Sequence, residues 1–264
     1  MLLLSTALLS TFVLYSAAGT LATITSVDAV EDLHVPGGLA AGDDGMRSSY
    51  KHALSFGDAL AALVHALAPQ HVAEFGILDG YSLSVFLAAA PPDCRVEAWD
   101  LFGDFAGNHA DEATLAARFG PWGPRVTIAK GNFWDAPSLL QAGVGYDLIH
   151  VDVANSGAEF EFALAQIVPF LSPRGVLLLE GGSAARDQVA WMHTYAKPHI
   201  APVVARFQAA ADQECSGGVR LHVMGDFPSL TVVRRDDRRG KEQGQCSREA
   251  EGAWQREEEP RMRR

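Results

Sequence analysis

Three cysteines in 264 residues (Cys94, Cys215 and Cys246), none in a Cys-x-x-Cys pair, are too few for a disulfide framework or a structural zinc site. Basic side chains are scarce as well. There are 21 Lys and Arg against 32 Asp and Glu, a formal net charge of -11. Residues 234–264 hold ten of the basic and eight of the acidic residues, so the chain before them is more acidic still. An acidic body excludes sequence-independent binding to nucleic-acid backbones, whose affinity comes from Lys and Arg. No charge of either sign precedes Asp28, and no Lys or Arg precedes Arg47. No internal repeat occurs, which excludes solenoid and propeller architectures.

What is present divides the chain into three. Apolar residues make up 48% and charged residues 20%, enough to bury a core. Residues 1–45 form an apolar leader. Its run 2–15 is followed by Ser16-Ala17-Ala18, the small-x-small pattern of a signal cleavage site. The uncharged stretch 1–27 is also long enough to span a hydrocarbon core of about 30 Å. A signal, a membrane anchor and a disordered leader all remain open. Residues 234–264 interleave charges of both signs and read as a disordered tail, too polar to offset the entropy of ordering.

The body, residues 46–233, alternates two periods. Leu54, Leu60, Leu63, Val64 and Leu67 recur at helical spacing before Pro69. Short apolar strands follow at 71–75, 95–99, 125–129, 146–151 and 176–179. Helices lie between them at 83–90, 111–119 and 158–171, and 219–224 with 230–233 reads as a hairpin. Continuous apolar strands alternating with helices predict a doubly wound, mostly parallel α/β sheet with an antiparallel edge.

Ligands of such sheets bind beyond the carboxyl ends of the strands. After the first strand stands Glu74-Phe75-Gly76-Ile77-Leu78-Asp79-Gly80-Tyr81-Ser82. A dinucleotide fingerprint needs G-x-G-x-x-G, but Leu78 stands two residues after Gly76, so the pyrophosphate cradle is missing. E-x-G-x-x-x-G fits a ligand without a phosphate. Gly76 permits close backbone approach, and Gly80 lets a helix begin against the ligand. Asp100, at the end of the second strand, can accept hydrogen bonds from both hydroxyls of a ribose. Beyond the third strand, Asn132 offers an amide and Phe133 a ring where a purine would lie. Asp152, after the fourth strand, falls beside the reacting end of such a ligand.

These pieces resemble a class I S-adenosylmethionine-dependent methyltransferase, close to the small-molecule O-methyltransferases that include macrocin-type sugar methyltransferases. The resemblance spans roughly 46–235. It is carried by the loop 74–82, Asp100, Lys130-Gly131-Asn132-Phe133 and 146–152. It implies a seven-stranded Rossmann-like sheet whose last strand is antiparallel, and methyl transfer from S-adenosylmethionine to a small, hydroxylated acceptor. It also implies a cofactor site of Glu74, Gly76, Gly80, Ser82, Asp100, Asn132 and Phe133. The alternative is a binding module that keeps the cofactor or a nucleoside but has lost catalysis.

Departures bear on catalysis. Metal-using relatives follow the fourth strand with Asp-x-Asp or Asp-x-x-His and end the fifth with two acids. This chain has Asp152-Val153-Ala154-Asn155 and Glu180-Gly181. Asp152 and Glu180 are thus expected to hold Mg²⁺ weakly, with activity stimulated at millimolar concentration. Asp152 and His193 are the candidate bases. His150, inside a strand, reads as a core histidine, and His222 is a further conceivable base. Because the methyl donor is made in the cytosol, the catalytic body is expected to face it, free or tethered by the leader. No acceptor or oligomeric state is legible.

Overall fold

The computed structural model describes residues 12–15, 21–24, 46–48, 50, 56–107, 109–211, 219–225 and 228–235. Within the leader, β1 (Phe12–Tyr15) pairs antiparallel with β2 (Leu21–Ile24), Phe12 opposite Ile24. The other leader residues and the tail beyond Arg235 lie outside the described residues, and with them the readings of signal, anchor and disorder. Among the described residues, no helix is long and apolar enough to cross a membrane.

The body runs through α1 (Phe56–Leu67), β3 (His71–Phe75), α2 (Tyr81–Ala89), β4 (Arg95–Asp100), α3 (Glu112–Phe119) and β5 (Val126–Lys130). It continues with α4 (Ala136–Leu139), β6 (Tyr146–Val151), α5 (Gly157–Phe162), β7 (Leu171–Glu180), α6 (Ala190–Thr194), α7 (Ala201–Ala211), β8 (Val219–Met224) and β9 (Leu230–Arg235). Seven strands form one sheet in the order β5-β4-β3-β6-β7-β9-β8. Strands β3 to β7 are mutually parallel where they pair, and β9 runs antiparallel to both β7 and β8. The expected doubly wound sheet with antiparallel pairing at one edge is present. Strand order reverses between β3 and β6, which makes their carboxyl ends the switch point.

Period-two alternation decides which face each strand residue covers. Val72, Val96, Ala98, Leu148, Val176 and Leu178 pack under α1, α2 and α3, against Leu60, Leu63, Leu83, Phe86, Leu115 and Phe119. Ala73, Phe75, Ile149, Val151, Leu177 and Leu179 face the other way, onto Phe160, Leu164, Ile167, Ile200 and Val203. Three polar residues break the apolar run on the first face: Glu74, His150 and Glu180, all buried.

Two boundaries differ from expectation. The helix predicted over 158–171 is α-helical only to Phe162, then passes through a π turn (Ala163–Ile167) and a 3-10 turn (Val168–Phe170). Pro169 supplies no N–H and its ring blocks a regular α ladder, so the chain changes register on the way in. The residues Ser172-Pro173-Arg174-Gly175, between the helix expected over 158–171 and the strand expected at 176–179, form a bulge inside β7. Tyr146 pairs with Leu171 and Leu148 already with Val176.

Candidate functional site

The loop from Gly76 to Gly80 lies at the switch point and is held there by backbone bonds. Gly76 N–H donates to Trp99 O (2.9 Å), and Asp152 N–H donates to Phe75 O (2.9 Å). Gly76 has φ +87°, and a β-carbon there would lie 2.1 Å from Asp152 O. The glycine is needed because the β3 and β6 ends touch. Gly80 (φ +83°) begins α2, but a β-carbon on it would meet Phe119 Cε2 at 2.4 Å. Its missing side chain makes room for a packed ring, where the sequence suggested crowding with a ligand.

Asp100 ties the loop to β4. One carboxylate oxygen accepts from Ile77 N–H (2.8 Å) and Leu78 N–H (3.4 Å), the other from Phe102 N–H (2.7 Å). A carboxylate oxygen has a second lone pair, so a ribose hydroxyl can still donate to a side chain already fixed in place. A strap covers the loop from outside. Arg47 donates through its backbone N–H, Nε and Nη2 to the Asp79 carboxylate at 2.7–2.8 Å, and Arg118 Nη1 donates to Asp79 O. The hydrogen bond from Arg47 holds the Asp79 carboxyl below its ordinary value, against the opposing effect of burial.

Glu74 and Ser82 belong to the interior. Glu74 Oε1 accepts from Ser82 Oγ–H and lies 3.0 Å from His150 Nδ1, while His150 Nε2 lies 3.0 Å from Tyr50 Oη. Burial, with Asp152, Glu180 and Glu74 nearby, raises the Tyr50 phenol well above its ordinary value. Tyr50 therefore keeps its proton and donates to Nε2, which leaves Nδ1–H to donate to Glu74. All four side chains are buried, with His150 the core histidine the sequence suggested. Glu74 Oε2 has no hydrogen-bond partner among the described residues.

Asn132 and Phe133 are turned to structural uses. Asn132 Oδ1 accepts from Trp134 N–H (3.1 Å) and caps a 3-10 turn over Phe133–Asp135. Phe133 is 5% exposed, edge-on to Phe75 and Phe162. It fills core, and Trp134, 44% exposed, is the open ring of this loop.

Asp152 is half-buried beside the polar cluster. Burial first, then Glu180 and Glu74, raise its carboxyl from 3.8 to about 7, with His150 and Arg186 pulling the other way. Glu180 is not available as a metal ligand. Its two oxygens accept from Arg186 Nε (2.6 Å) and Nη2 (2.8 Å), in a buried bidentate pair. Mg²⁺ needs a near-octahedral set of oxygens, and here a guanidinium with only donors holds one of the two expected carboxylates. The residues present do not fit the ion. His193 is exposed on α6, its ring edge-on to His199 at 6.0 Å, outside the buried cluster. His222 lies within β8, opposite Val232.

The sequence reading missed Arg186, Tyr50 and the buried role of Asn155. Asn155 Nδ2 bridges Val151 O (3.1 Å) and Glu180 O (2.9 Å). The available signal for Arg186 was a basic residue in an acidic neighbourhood, six positions after Glu180. Removing its partner has a predictable cost: Glu180→Ala strands a buried guanidinium and should lower stability by about 3–5 kcal/mol. Urea unfolding checks this, and an unchanged midpoint would mean the pair is not buried in solution.

Residues 73–180 match the family model described as a methyltransferase domain. No curated protein matches the chain. Among solved structures, the O-methyltransferase TomG of Streptomyces achromogenes, crystallised with S-adenosylmethionine, is 19% identical. That match covers 69% of this chain and 80% of TomG at a TM-score of 0.51. An O-methyltransferase of Bacillus cereus, crystallised with S-adenosylhomocysteine, is 15% identical over 79% of this chain and 96% of its own, at a TM-score of 0.54. The Podospora anserina methyltransferase PaMTH1, also bound to S-adenosylhomocysteine, is 17% identical over 70% and 80%, with a TM-score of 0.52.

Proposed function

We propose, from the match of residues 73–180 to a methyltransferase-domain model and the likeness in fold to S-adenosylmethionine-binding O-methyltransferases, that the chain methylates an oxygen of a small, hydroxylated acceptor. The observation that carries this reading is the Gly76–Gly80 loop, pinned by Asp100 at the switch point of the sheet. The donor set suits the cofactor. S-adenosylmethionine presents ribose hydroxyls, an ammonium group and a sulfonium cation. At the switch point the protein offers the Asp100 carboxylate as an acceptor, and the buried Glu74 carboxylate lies behind it, at the end of β3.

When bound, S-adenosylmethionine would supply an electrophilic methyl carbon on a cationic sulfur, with the neutral thioether as leaving group. The protein's own contribution is alignment and proton handling. Gly76 brings the β3 backbone against Asp152, so the loop and the base share one rigid edge. Asp152 takes the acceptor's proton. A carboxyl raised to about 7 is matched to that task near neutral pH.

Calorimetric titration with S-adenosylmethionine tests the reading. Wild type is expected to bind, and Asp100→Ala to weaken binding by roughly 1.5–3 kcal/mol through loss of the ribose acceptor and the loop anchor. Unchanged affinity in the variant would remove Asp100 from the site. Cofactor binding without turnover, across a panel of phenols and sugars, would count against catalysis.

A further inference from the structure

Two carboxylates at the ends of neighbouring strands repel each other unless a cation lies between or beside them. Asp152 follows β6 and Glu180 ends β7, and the Glu180 carboxylate adds to burial in raising the Asp152 carboxyl. Where relatives of this fold use a metal, the cation is external. Here the chain brings its own.

Arg186 opens a single 3-10 turn, Arg186–Gln188, beyond β7. Gly181 and Gly182 have φ of +107° and +123°, and a β-carbon on Gly182 would lie 2.1 Å from Thr231 Oγ1. This glycine pair turns the chain back on itself after β7. Ser183 Oγ accepts from Arg186 N–H (3.0 Å), and the guanidinium sits 5.4 Å from the centre of the Trp191 ring. Nε and Nη2 fasten on Glu180, and the side chain is 6% exposed. Nη1 is left buried with no hydrogen-bond partner among the described residues. An orphaned donor on a buried cation is costly, so it points to a group the protein receives. Glu180 engages a second buried polar side chain through its main chain. Its backbone carbonyl holds Asn155 Nδ2, leaving Asn155 Oδ1 without a donor. An unpaired donor on a side chain anchored by Glu180 complements an acceptor oxygen.

We infer that Arg186 is the resident cation of this site, taking the place of a divalent metal and presenting Nη1 to an oxygen of the acceptor. The inference rests on the methyltransferase reading for the word acceptor, and on geometry alone for the exclusion of the ion. A divalent cation reaching Glu180 would have to displace a buried guanidinium that then has no partner. Removing the guanidinium should open the carboxylates to metal.

Mn²⁺ titration of the full chain, followed by electron paramagnetic resonance, decides the matter. Wild type should bind Mn²⁺ no tighter than about 1 mM, the scale of a lone surface carboxylate. Arg186→Ser should bind at least about tenfold tighter, because a positive charge leaves the carboxylate pair. Arg186→Gln is the second variant. It keeps a hydrogen bond to Glu180 without the charge, and should gain in the same direction if the serine variant does not fold. Submillimolar binding by wild type that disappears in Glu180→Gln would overturn the inference, as would no gain in a folded variant. The same wild-type sample titrated with S-adenosylmethionine keeps the two readings apart. Failure to bind the cofactor sinks the proposed function and leaves the metal result standing.

Discussion

Gly76→Ala is expected to lower the stability of the whole domain, and not merely to block a ligand. The added carbon would lie 2.1 Å from Asp152 O and 2.7 Å from its carbonyl carbon, both backbone atoms that cannot rotate away. The residue would also have to hold φ +87°, a conformation that alanine resists. Strain of about 1–3 kcal/mol and a comparable overpacking penalty together predict a loss of about 2–5 kcal/mol. For a domain of this size the melting temperature should fall by about 5–15 °C. Relief by separating β3 from β6 would break the Asp152 N–H to Phe75 O bond, so amide exchange at Asp152 should accelerate in the variant. A melting curve identical to wild type would show that the two strand ends do not meet as described.

Asp152→Asn should do two opposite things at once. The carboxyl, raised from 3.8 to about 7, becomes a base only as pH climbs through that value, so wild-type turnover should rise through about pH 7 and then level off. Asparagine cannot take a proton, and the rate should fall by about 10²–10⁴ with the pH limb removed. Stability moves the other way. A folded carboxyl that titrates higher than its unfolded counterpart makes the native state progressively less stable as pH rises from about 4 to about 7, and leaves it so above. The amide carries no such charge. At pH 8 the variant should therefore be more stable than wild type by about 1–3 kcal/mol, and the gain should vanish near pH 3. A variant less stable than wild type at pH 8 would show that ionised Asp152 is compensated in solution.

Much of this architecture can be read from the residues because local and global signals agree. Short, largely apolar runs such as 146–151 become β6 with the bounds the pattern suggests. The E-x-G-x-x-x-G loop and Asp100 come together because both sit at carboxyl ends of adjacent parallel strands. The misreadings arise where tertiary contacts decide the use of a side chain. Nothing in Gly80-Tyr81 says that Phe119, far along the chain, will occupy the space beside it. Phe133 and Trp134 look equivalent as sequence, and only packing against Phe75 and Phe162 makes the first a core residue. Glu180 reads as a ligand until Arg186 is folded back on it, and that turn depends on two consecutive positive-φ glycines. Charge pairing across a loop has no period, so no pattern announces it.

The buried line from Tyr50 through His150 to Glu74 and Ser82 also sets the alignment of the central strands. Glu74 stands directly opposite His150 in the pairing of β3 with β6, where the neighbouring pair on the same face is Val72 with Leu148. Hydrophobic contacts alone would tolerate a slide of one strand along the other by two residues, since that keeps every side chain on its own face. Such a slide would bring Glu74 opposite Leu148 in one direction and opposite Asp152 in the other. The first leaves a carboxylate against hydrocarbon and the second sets it against another carboxylate, so both misaligned sheets are penalised where the native one is not. A polar pair in the middle of an oily sheet thus acts as a key that admits a single alignment. The positions of Gly76 and Asp152 at the rim follow from it.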